Sequence, residues 1–120
     1  MKKLFVAFKN AISGIAQAVI IGRNMRIHLG FSVFAIFMSV MLRLNIYEWC
    51  IIVLLCFFVL AAEVFNTAIE AAVDLFSLEL HAKAKLAKDA SAGAVLLLAI
   101  ASVIIGMLVY INAFIRLLEY

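Results

Sequence analysis

EVFNTAIEAAVDLFSLELHAKAKLAKD, residues 63–89, holds five of the seven acidic residues of an otherwise oily chain. Glu63, Asn66, Glu70 and Asp74 follow one another at spacings of three, four and four. At about 100° per residue they fall within roughly 80° of arc on one helix face. Between them stand Val, Phe, Ala and Ile with a single Thr. A solvated face would mix Lys and Arg with the acids, and none occurs between Glu63 and Asp74. A carboxylate on an apolar helix needs a partner, a metal or a proton. The row therefore marks a site, and the helix carrying it decides the fold.

The rest of the composition sets the solvent. The 120 residues are 69% hydrophobic and 14% charged, with a mean hydropathy of +1.25. Those values belong to a single integral-membrane domain rather than a soluble one. The net charge of +3 is too small and diffuse to point to nucleic acid. Cys50 and Cys56 lie six apart in one apolar run. On a helix they occupy different faces, which excludes a mutual disulfide, and they lack metal-ligand spacing.

Working outward, residues 1–22 place Lys2, Lys3, Lys9, Asn10, Ser13 and Gln17 on one helical side. Leu4, Phe5, Phe8, Ile12, Ile15 and Val19 take the other. That is the pattern of a basic amphipathic helix lying in a membrane interface. A signal peptide is the competing reading, but Lys9 and Asn10 cut its apolar core short. Arg23, Asn24 and Arg26 form a basic junction, and residues 27–44 are just long enough for a first span. In it, His28 reads as an interfacial residue. Asn45 to Trp49 reads as a short turn with two aromatics at headgroup level. A second span, 49–77, runs without Gly or Pro into the acidic row and should end near Leu78. Ser77 to Asp89 is polar and reads as a loop or surface turn. A third span, 90–115, opens on the small residues Ala90 to Ala94, which favour close helix packing. The fold expected is thus all-α: one surface helix plus three transmembrane helices. Lys and Arg concentrate in residues 1–26 and 83–88. The positive-inside rule then puts the N-terminus and the 77–89 loop in the cytoplasm of a multi-pass cell-membrane protein.

Acids and an amide beside a Lys-rich segment at a membrane boundary fit phosphoryl transfer from a soluble nucleotide to a membrane alcohol. Carboxylates hold Mg²⁺, Lys neutralises phosphate charge, and a desolvated carboxylate serves as base. No GxxxxGK[ST] or glycine-rich loop is present, so side chains would have to hold the phosphates. Proton or ion conduction competes, because intramembrane carboxylates mark such paths too.

The motif E-x-x-N-T-A-I-E-x-x-V-D, Glu63 to Asp74, resembles the signature of the prokaryotic diacylglycerol kinase family, which includes the undecaprenol kinases of Gram-positive bacteria. The likeness continues through Glu79, His81 and A-K-D-A-x-A-G-A-V from Ala87 to Val95. Arg23-Asn24 with His28, and Glu48-Trp49, resemble the Gram-positive branch. The resemblance implies a homotrimer with active sites at subunit boundaries, using ATP with Mg²⁺ to phosphorylate a lipid alcohol, undecaprenol before diacylglycerol. It implies Glu63 as the base at the lipid hydroxyl, Asn66 as its positioner and Glu70 as metal ligand. Glu79 and His81 would contact the nucleotide, and Lys88 with Asp89 its phosphate end. Asp74 would support the site. Two positions depart from the family. Asn10 stands where a Tyr near the nucleotide is common. Gly22 stands where the family has a second metal-binding Glu, and no carboxylate occurs between Met1 and Tyr47. A weakened member retained for lipid binding or assembly is the alternative this departure raises.

Overall fold

The computed structural model describes residues 1–76 and 81–120, and the described residues are helical apart from short junctions. Four helices follow in order: α1 (Lys2–Ile21), α2 (Arg23–Met41), α3 (Ile46–Phe76) and α4 (Ala82–Leu118). Each is long and apolar enough to cross a membrane. α3 is the central element and packs against the other three, most extensively against α4.

The junctions have local causes. α1 stops at Gly22, whose extended backbone (φ −87°, ψ 110°) breaks the helix while its N–H still donates to the Ala18 carbonyl at 2.9 Å. α2 begins at the next residue, so the basic stretch 23–26 is already helical. α2 also ends three residues short of the expected Leu44. Arg43 there adopts φ 53°, a left-handed conformation that costs a non-glycine residue about 1–2 kcal/mol. The turn closes on a reciprocal cap. Asn45 Oδ1 accepts from the Glu48 N–H, and Glu48 Oε2 accepts from the Asn45 N–H, each at 3.0 Å. From α4, Arg116 donates to both Glu48 oxygens at 2.9 Å. These hydrogen bonds hold the Glu48 carboxyl below its usual range, against the opposing effect of burial. Leu42, Leu44, Ile52 and Ala113 form the apolar core at this end.

The expected loop over 77–89 is corrected in its second half. α4 begins at Ala82, so residues 82–89 continue the last helix outward. Ala, Lys and Leu are strong helix formers whatever their polarity. His81 caps the new start, its Nδ1 accepting from the Lys83 N–H at 3.1 Å. At 1.5 Å per residue α3 is about 46 Å long and α4 about 55 Å. Both exceed a hydrocarbon core of roughly 30 Å.

Candidate active site

One face of α3 grades from interior to surface. Glu63 is 3% exposed and Asn66 8%, whereas Glu70 and Asp74, one and two turns on, are exposed. The i, i+3 and i+4 spacing aligns them, and α2 and α4 cover only the first two. From α2, His28 Nε2 approaches Glu63 Oε1 at 3.3 Å. Thr67 Oγ1 donates to the Glu63 carbonyl at 3.0 Å, so the carboxylate itself is left for groups from elsewhere.

Asn66 links two helices. Its Oδ1 accepts from Ser91 Oγ of α4 at 2.6 Å, and its Nδ2 donates to Glu70 Oε1 at 3.2 Å. Ser91 Oγ also lies 3.0 Å from the Lys88 carbonyl. The amide is thereby fixed at both ends, and its orientation follows from these partners. Asn66 steadies Glu70 rather than Glu63.

Farther out, Lys88 Nζ donates to Asp74 Oδ1 at 2.6 Å. That hydrogen bond holds the Lys88 ammonium above its ordinary range. Asp89 accepts from Lys85 one turn earlier at 2.5 Å. Asp74 thus tethers the lysine that was expected at the phosphate end. His81 and Lys83 line a cleft of about 480 Å³ whose other wall is Ala72, Val73 and Phe76 of α3. Because the cap uses His81 Nδ1 as acceptor, the neutral ring carries its proton on Nε2. Glu79 lies outside the described residues. Asn10 is exposed on α1 and makes no side-chain hydrogen bond to these groups among the described residues.

Among the described residues no three His, Cys, Asp or Glu side chains converge as a metal cage. Glu70 is exposed, with one oxygen steadied by Asn66. That fits a hard cation carried on phosphates, which needs only one or two protein carboxylates. Glu70 would hold such an ion, and the ion would neutralise phosphate charge.

Two participants escaped the sequence reading. Ser91 stood in a run read as packing, and His28 was read as facing the interface. Both meet the row across 25 residues or more, so no spacing rule on α3 could have found them. A second cavity, about 410 Å³ and apolar, lies among α2, α3 and α4, with His28, Phe31, Val59 and Met107 in its wall. Ser102 Oγ, also of this wall, is buried without a hydrogen-bond partner among the described residues.

Residues 9–110 match the family described as prokaryotic diacylglycerol kinase. The undecaprenol kinase of Bacillus subtilis is 38% identical over 111 residues, covering 92% of this chain and 90% of that protein. A diacylglycerol kinase of Synechocystis is 41% identical over 104 residues, covering 86% of this chain and 59% of that protein. One from Helicobacter pylori is 33% identical over 96 residues, covering 80% and 75% respectively. With a match that spans all four helices and includes the whole carboxylate row, this chain belongs to the prokaryotic diacylglycerol kinase family.

Proposed function

We infer that this lipid kinase transfers the γ-phosphoryl group of ATP to the hydroxyl of a membrane lipid alcohol, undecaprenol in preference to diacylglycerol. The observation that carries the reading is the gradient on α3, from a carboxylate buried at Glu63 to exposed carboxylates beside Lys88. Counted from Trp49 at 1.5 Å per residue, Glu63 lies roughly 21 Å along α3 and Asp74 roughly 38 Å. A hydrocarbon core of about 30 Å entered at Trp49 therefore ends between them. A lipid hydroxyl reaches the inner end of the row and a soluble nucleotide the outer end. The basic N-terminus and Lys83 to Lys88 support a cytoplasmic position for that outer end.

In the reaction Glu63 accepts the hydroxyl proton as the lipid oxygen forms its bond to the γ-phosphorus. The bond from that phosphorus to the bridging oxygen breaks, and its electron pair leaves with ADP. Asn66 holds Glu70, which would carry Mg²⁺ on the phosphates. Lys88 balances phosphate charge once it exchanges Asp74 for the nucleotide, with Asp89, Glu79 and Asn10 near the nucleotide. His81 offers its Nε2–H in the cleft against Phe76. The undecaprenol preference is supported by the relative of that name, matched along 90% of its length. The family and its relatives, named as kinases, favour neither conduction nor a weakened member.

The test is a radiolabelled ATP assay on purified protein with undecaprenol and diacylglycerol side by side. Glu63→Gln keeps the shape and removes the basicity. It is expected to lower turnover at least ~10²-fold with ATP binding intact. Near-normal turnover in that variant sinks the base assignment, and faster turnover of diacylglycerol sinks the lipid preference.

A further inference from the structure

Among the described residues one basic side chain lies within ion-pair distance of Glu63 Oε1, and it is His28. The Glu63 side chain is 4% exposed and that of His28 22%. A buried carboxylate without a fixed partner has two problems. It pays a desolvation cost, and its terminal torsion is broad, so neither oxygen has a preferred direction. α3 supplies no remedy, because Thr67 takes the backbone carbonyl and Asn66 turns to Glu70 and Ser91. The remedy comes from α2. There His28 also forms part of the wall of the apolar cavity that runs beside Val59 and Met107. It therefore stands between the space open to a hydrocarbon chain and the carboxylate.

We propose that His28 is a positioning residue for phosphoryl transfer: its Nε2–H donates to Glu63 Oε1 and so turns Oε2 toward the lipid hydroxyl. This rests on Glu63 being the base. In this structure the two atoms lie 3.3 Å apart without hydrogen-bond alignment; the bond forms when substrate binds, as catalytic contacts commonly tighten then. No proton passes through the ring. Glu63 Oε2 takes the hydroxyl proton, and His28 keeps its own. Orientation of this kind is sensitive, since a displacement of about 1 Å is enough to lower a rate ~10²-fold.

Two substitutions separate this role from mere packing. Gln ends in an amide nitrogen that reaches about as far as Nε2, whereas the amide of Asn reaches only as far as Nδ1. Purified His28→Gln, His28→Asn and Glu63→Gln are assayed beside the natural protein for kcat and for KM of ATP and lipid, with thermal midpoints in the same detergent. Expected is a fall in kcat of at least ~10-fold for His28→Asn at unchanged KM for ATP. His28→Gln should recover most of that loss, and the two midpoints should agree. Equal loss in both His28 variants, or loss in neither, overturns the proposal. So does a loss that follows the thermal midpoint. Normal turnover in Glu63→Gln instead removes the base reading on which it rests. An inactive Glu63→Gln beside a fully active His28→Asn removes the positioning role alone.

Discussion

An ideal Cβ on Gly22 falls 2.7 Å from the Ala18 carbonyl oxygen and 3.2 Å from Met25 Cβ. The backbone dihedrals there are ordinary for any residue, so close approach rather than conformation demands glycine. The resemblance makes Gly22→Glu a way to restore the second metal-binding carboxylate and lower the Mg²⁺ requirement, provided φ at residue 22 is not positive. That condition holds, but any side chain here forces its neighbours to shift, because the obstacle is a backbone atom of the preceding helix. Ala18 and Met25, 1% and 2% exposed, pack this corner tightly. Overpacking costs about 1–3 kcal/mol, so Gly22→Ala should lower the thermal midpoint and leave the Mg²⁺ half-saturation unchanged. Gly22→Glu should carry the same steric loss and a lower half-saturation than Gly22→Ala. A Mg²⁺ titration of lipid phosphorylation in both variants reads this. Identical half-saturation in the two would mean that a carboxylate at 22 does not meet the metal. The missing Glu was legible in the sequence. The missing space was not, because it depends on how α1 meets α2.

At the scale of the helix, the carboxylate row was legible because a spacing of three and four residues is a property of one α-helix. Its partners were not. His28 and Ser91 arrive from α2 and α4, and pairing between helices leaves no mark on the spacing of either. The start of α4 was hidden for another reason. Hydropathy read 82–89 as loop, whereas the local signals of Ala, Lys and Leu propensity and a capping His81 pointed to helix. That extension brings Lys88 beside Asp74 in the structure. Their side chains are 41% and 56% exposed, and an exposed, solvent-screened pair contributes little to stability. It is too weak to be what holds α3 to α4, so a functional change on breaking it is not a folding change. Lys88→Ala should raise KM for ATP about 10-fold, in line with a lost charge-assisted phosphate contact. The thermal midpoint and the KM for lipid should stay nearly constant. A rise in KM for lipid alone would place the nucleotide elsewhere.

At the scale of the molecule, the chain is a flat slab, 59 × 42 × 19 Å, with its buried apolar cluster at the Glu48–Arg116 end. Most large apolar side chains face outward, among them Phe57, Phe58, Phe65, Leu97, Val103 and Leu108. A bilayer covers such a surface without help. It does not cover Glu70 and Asp74, which lie open on the face where Glu63 and Asn66 are sealed by α2 and α4. Polar groups at a membrane boundary face water or protein. Water alone would leave the outer end of the row, Glu70 and Asp74, open to solvent. A second copy of the chain laid across the open side would exclude it and add helix packing through exposed small residues such as Ala92 and Ala94. The family resemblance gives the number as three. Chemical crosslinking of the purified protein in mild detergent should therefore yield a ladder that ends at the trimer, at protein concentrations too low for random encounter. A ladder that ends at the dimer, or monomers alone with full ATP-dependent turnover, would mean that one or two subunits close the row by themselves.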